Sequence, residues 1–209
     1  MSNQVKAVLG ALATIAVWAT AFPCSKIALQ HVDSLTLSVA RVVGGAMLML
    51  IIGVARGLHI PTSWREWGLY IVLGMTGNFV YQVVFNQGLM TIPAATSSII
   101  MALTPMTTAL MALVVYKDYM RPIGWVFTIT AFLGVAIIIL WNGSINIPVG
   151  AFWTLLGMVL FAIYNIVNRG LSLKGHDPIT VATWSMFTGA IMSLPFVSQS
   201  VANIAAAPA

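Results

Sequence analysis

Apolar residues along this chain gather into long runs, and polar residues gather into the short gaps between them. A helix that crosses a bilayer needs about 20 mainly apolar residues. The pattern supplies seven such runs, roughly residues 7–30, 34–55, 67–89, 94–116, 123–141, 149–168 and 178–201. The gaps carry residues that start and stop helices: Asp33, Pro61, Pro93, Pro122, Pro148 and Asp177. No gap is long enough to separate soluble domains. The pattern predicts an all-α polytopic membrane protein.

Charge adds an orientation. Lys6 precedes the first run, Arg56 and Arg65 follow the second, Lys117 and Arg121 the fourth, and Arg169 and Lys174 the sixth. The alternate gaps, 91–93 and 142–148, carry neither Lys nor Arg. Basic residues in short loops mark the cytoplasmic side, so the expected N-terminus is cytoplasmic and the chain end lies outside. Asn142-Gly-Ser144 matches a glycosylation acceptor on the outer side, but so short a pattern is common by chance and the polar turn is the favoured reading.

Composition agrees with a bilayer setting. The chain is 60% hydrophobic and 6% charged, with mean hydropathy +0.98; soluble domains carry about 25% charged residues. The net charge of +5 is scattered and forms no basic patch, which excludes nucleic acid as a partner. The lone Cys24 allows no internal disulfide, and Pro23 before it disfavours a lipoprotein anchor. Lys6 is followed by nineteen uncharged residues, Ala7 to Ser25, with no small-x-small site at their end. The start therefore reads as a first span and not as a cleavable signal peptide.

An internal repeat sets the expected architecture. Asp33-Ser-Leu-Thr36 opens the second run and Asp177-Pro-Ile-Thr180 the seventh; Gly45-Ala46 meets Gly189-Ala190. Both pairs are 144 positions apart, and Lys26 faces Arg169 at 143. Five spans separate the equivalents, so the second copy would enter the membrane from the opposite side. Inverted repeats of this kind recur in secondary transporters. A first copy ending near residue 141 implies a second ending near 285 (141 plus 144), and the sequence stops at Ala209, about three spans short.

Four stretches then carry a resemblance. WATAFPCSKIAL (18–29) supplies a tryptophan-bearing first helix, and LSVARVVGGAML (37–48) an arginine early in the second. FNQGLMTIPAATSSIIMALTP (85–105) runs through small residues into Thr-Pro. KDYMRPIGWVFTITAFLGVAIII (117–139) gives a charged pair, a short loop and a glycine-bearing helix. In this order they resemble the EamA type of the drug/metabolite transporter superfamily. One departure is Lys117-Asp118, standing where Glu-Arg is common. The resemblance covers the whole chain and is specific to a family, not to a substrate. It implies ten helices in two inverted five-helix units. Residues 1–141 would then be the first unit, and 149–209 the first two helices of an incomplete second.

Several residues could carry chemistry. A charge in the bilayer centre costs about 2.5–3.5 kcal/mol on insertion scales. Lys26 lies one turn from the outer end of the first span, where it either snorkels to the surface or joins the pathway. Arg41 lies seven residues into the second span, about 10 Å deep, and is expected to face the bundle and pair with carbonyls, polar side chains or an anionic substrate group. Asn78, Gln82 and Asn86 recur every four residues beside Tyr81, as interhelical glue or as a polar stripe lining a cavity. The cavity reading is the one favoured here. The fourth span offers Thr96, Ser97, Ser98 and Thr104, and Pro105, which frees a backbone carbonyl at membrane depth. Tyr164, Asn165 and Asn168 mark the sixth span, and Trp18 and Trp184 sit away from the interfacial belts. Pro23 removes a helix hydrogen bond beside Lys26, so the pair is a candidate gate.

Asp33, Glu66, Asp118 and Asp177 all sit at span ends, so no buried carboxylate offers a proton or sodium site. There is no HExxH, phosphate loop or Cys/His cluster, and His31, His59 and His176 lie apart. The expectation is no enzyme, no cofactor and no metal. A seven-helix receptor would need an outer N-terminus, and its retinal form a lysine in the seventh span; neither is present. The reading is a multi-pass inner (plasma) membrane transporter, exporting small metabolites such as amino acids by alternating access, with bilayer and solute as partners. The alternative is a membrane subunit that does not transport alone and needs partner helices or a second copy.

Overall fold

The structure is a computed structural model that describes residues 3–140 and 148–206. Among the described residues every regular element is a helix. The order is α1 (Asn3–Ala28), α2 (Ser34–Ala55), α3 (Trp64–Leu73), a π-helical turn (Gly74–Phe79), α4 (Val80–Thr91), α5 (Ala94–Met101), α6 (Thr104–Tyr116), α7 (Pro122–Leu140), α8 (Val149–Leu173), α9 (Pro178–Ser193), a 3-10 turn (Leu194–Phe196) and α10 (Val197–Ala206). Among the described residues six helical runs are long and apolar enough to cross a membrane, and α7 adds a shorter one over Pro122–Ile138. The Asn142-Gly-Ser144 pattern lies outside the described residues.

Helix starts follow the local chemistry. The Asp33 carboxylate accepts from the Thr36 N–H at 3.4 Å, and Asp177 does the same for Thr180 at 2.9 Å. Ser63 accepts from the Arg65 N–H at 3.3 Å and opens α3. Each cap satisfies one of the amides that a helix start leaves bare. Pro23 lies inside α1 without ending it.

Three expected spans prove interrupted. The fourth breaks at Ala102–Leu103, because Pro105 has no N–H to give the Met101 carbonyl. The Thr104 hydroxyl donates to that carbonyl instead, at 2.6 Å. The third span carries the π turn, pressed against α9 where the Thr188 hydroxyl donates to the Tyr70 carbonyl at 2.7 Å. The last run bends at Leu194–Phe196, which holds Pro195, and continues to Ala206. α8 runs on to Leu173, past the expected end at 168.

The tightest contacts join α4 to α8 and α2 to α9. Small residues permit them: a Cβ on Gly88 would fall 2.8 Å from the Gly150 carbonyl oxygen and collide with Thr154 Oγ1. Small side chains at membrane helix interfaces let backbones approach and gain dispersion contacts. α1 lies on the rim against α4 and α5, with most of its described side chains exposed.

Candidate substrate pathway

An aromatic column runs between α1, α4 and α8. Phe22 meets Phe85 edge-on at 5.5 Å. Tyr81 stacks between Phe85 at 5.9 Å and Phe161 at 4.9 Å. Phe161 stacks in turn on Tyr164 at 5.4 Å, and Trp18 tilts against Phe161 at 5.6 Å. Tyr81 and Phe85 are four residues apart and Phe161 and Tyr164 three, so each pair shares a helix face. Phe22, Tyr81, Phe161 and Tyr164 are half-buried, and Trp18 is 56% exposed, so the column keeps free ring surface.

Arg41 stands beside this column. Its guanidinium donates to the buried Ser25 hydroxyl of α1 at 2.8 Å, and it lies within electrostatic reach of Tyr81. The side chain is exposed, on the same face of α2 as Gly44, Leu48 and Ile51.

The amide series divides. Asn86 is fully buried and donates to the Ser38 hydroxyl at 2.9 Å, which donates to the Ser34 carbonyl at 2.6 Å. Its own carbonyl oxygen has no partner. Asn78 sits in the π turn, with its Cβ against Gly189 of α9. Gln82 is half-buried and its side chain makes no hydrogen bond. Asn86 thus ties α4 to α2, Asn78 packs on α9, and Gln82 is the member that stays available, near Tyr81.

The ends of the bundle are held by polar contacts. At one end the Lys26 ammonium donates to the carbonyls of Leu89 at 2.5 Å, Met90 at 3.1 Å and Ile92 at 3.1 Å. These carbonyls close α4, where a helix leaves acceptors bare and its dipole favours a cation. Nearby the Ser34 hydroxyl donates to Gln87 at 2.8 Å, and Asn203 donates to Asp33 at 3.2 Å and to Thr36 at 3.1 Å. Partial burial of Asp33 pushes its carboxyl up, but bonds from Thr36 and Asn203 outweigh this and hold it below its ordinary value.

At the other end Arg169 pairs with Asp118 at 2.6 Å and lies over the Tyr116 ring, and Tyr116 donates to the Ile166 carbonyl at 2.8 Å. Trp184 packs edge-on against Trp67 at 5.0 Å and donates its indole N–H to the His59 carbonyl at 2.8 Å. It therefore lies against the α2–α3 connector, in an apolar cluster against which Tyr164 of the column also packs. Pro105 is exposed at the start of α6, and Pro23 is exposed on α1. Sequence reasoning missed Phe22, Ser25, Phe85 and Phe161; the three- and four-residue aromatic spacings were the signal that could have found the phenylalanines. Among the described residues no cluster of three or more His, Cys, Asp or Glu could hold a metal.

Comparisons with known proteins bear on the family and the fold. A family model, the EamA-like transporter family, matches residues 5–140. A "Probable terminal-alkyne amino-acid exporter" of Streptantibioticus cattleyicolor is 28% identical over 97% of this chain and 68% of that protein. An uncharacterized transporter of Synechocystis is 22% identical, over 91% of this chain and 62% of its own length. An uncharacterized transporter of Bacillus subtilis is 29% identical, over 70% of this chain and 49% of its own length. A solved crystal structure at 19% identity aligns with a TM-score of 0.62 over 94% of this chain and 68% of that one, which shows the fold.

Proposed function

The chain belongs to the EamA-like transporter family, and from that premise we propose that it moves small metabolites across the plasma membrane as a secondary transporter. The observation that carries this reading is the half-buried aromatic column with Arg41 and Gln82 beside it, at membrane depth. Solute sites are concave, mostly apolar surfaces with a few convergent polar groups. The direction proposed is export and the solutes amino acids or similar amphiphiles, which draws on the name of the Streptantibioticus relative.

The proposed mechanism is alternating access by rocking of two inverted repeats. Two features support it. Asp33 and Asp177 cap α2 and α9 through the same carboxylate-to-amide bond three residues on. Those two helices also pack against each other. The N-terminus is then cytoplasmic, and residues 1–141 form the first repeat. Pro23 and Lys26 would gate the outer end. A second reading has these helices working only with further helices or a second copy, and the bare outer face of α1 favours it.

Vesicles containing the full-length protein and a broad panel of labelled solutes test transport. Flux above empty vesicles is expected. No flux for any solute would sink the transport reading.

A further inference from the structure

Resting on that reading, we propose that Arg41 is the anchor for a carboxylate on the transported solute, whose apolar body lies along the aromatic column. The substrate class is then an organic monoanion with an apolar body, and its amino group is dispensable.

The argument begins with unspent donors. A guanidinium carries five N–H groups and is always charged. Arg41 directs a hydrogen bond to Ser25 and has no carboxylate partner; the ion pair among the described residues is Arg169 with Asp118. Gly44, Leu48 and Ile51 on the same helix face offer the remaining donors no side-chain acceptor. An exposed arginine at this depth with one of its five donors engaged is stabilised when a mobile anion completes it. A carboxylate fits the fork with two parallel hydrogen bonds.

The surroundings select the charge type. The chain has four acidic residues. Asp33 and Asp177 cap helices, Asp118 holds Arg169, and Glu66 lies in the first turn of α3. Among these residues none stands beside the column, so they offer a solute ammonium no opposite charge there. A carboxylate would meet Arg41, with Ser25 fixing the guanidinium from behind. The free surface of Phe22, Tyr81, Phe161 and Trp18 then receives an apolar body. A phospholipid phosphate is the other anion a membrane supplies, and the test separates the two.

Two readouts on the full-length protein decide the matter. The first is vesicle flux of phenylalanine, 3-phenylpropionate, phenylalaninamide and phenethylamine. The second is the shift in melting temperature that 3-phenylpropionate produces in detergent. The two acids are expected to outrun the amide and the amine by about tenfold or more. Arg41→Gln should erase that preference and the thermal shift while keeping the wild-type elution profile, and Arg41→Lys should restore part of both. Wild-type stabilisation by the acid without any flux would keep the anchor and sink the transport reading. Flux that ignores the carboxylate, or an Arg41→Gln protein with unchanged acid preference, would overturn the anchor and leave transport standing. Stabilisation by phosphatidylglycerol that the acid cannot compete away would also overturn it, assigning Arg41 to lipid.

Discussion

Helices α1 and α8 look alike as strings of apolar residues, yet they are held in opposite ways. α8 meets α4 backbone to backbone, through Gly150 and Thr154 against Gly88. α1 has a glycine too, Gly10, but nothing lies within 4 Å of the Cβ it lacks. α1 is held by polar and aromatic ties: Lys26 on the end of α4, Ser25 with Arg41, and Trp18 on Phe161. Lipid tails are as apolar as leucine, so burial alone does not drive helices together in a membrane. Association comes either from close steric fit or from polar bonds, and this molecule uses one at its centre and the other at its rim.

The sharpest way to break the comparison is to add bulk. Gly88→Leu should cost about 3 kcal/mol or more, because Thr154 and the Gly150 backbone occupy the space. Gly10→Leu should be neutral or gain up to about 1 kcal/mol from helix propensity. Thermal unfolding in detergent measures both, and equal effects would erase the distinction between centre and rim. Next comes the polar tie. Lys26→Met leaves three carbonyls without their donor and should cost about 1.5–3 kcal/mol. An unchanged melting temperature would mean that the aromatic contacts alone hold α1. The smallest effect concerns the connector after α1. The folded Asp33 carboxyl lies below its ordinary value, so its contribution is full above about pH 3.9 and is lost as pH falls through the folded value. Asp33→Asn should flatten that acid limb of a melting-temperature profile; a limb of wild-type steepness would assign it to other groups.

The same contrast explains what the sequence made legible. The span 34–55 matches α2 end to end, because Asp33 caps its start and Arg56 and Gly57 follow its end. The turns at Asp177 and Pro122 were readable for similar local reasons. The π turn was not, because hydropathy does not change across it and Thr188, which meets the Tyr70 carbonyl there, lies on another helix; the break at Ala102–Leu103 left a signal only in Pro105, with the Thr104 hydroxyl taking up the carbonyl it frees. Lys26 was legible as a costly charge but its partners were not, since they lie 63 to 66 positions away. Asn86 and Gln82 were equivalent by spacing, and only the position of Ser38 on α2 separates them. The candidate site was therefore visible as a set of residue types, and its aromatic half emerges only when α1, α4 and α8 come together.

The Lys26 contacts also carry a history. A ribosome adding about 5–20 residues each second needs several seconds to make the chain between this lysine and its acceptors. Through that interval the ammonium has no carbonyl cage and must wait among headgroups or water. The first helix is thus threaded before the feature that fastens it exists, and its final seating waits on the synthesis of Leu89, Met90 and Ile92.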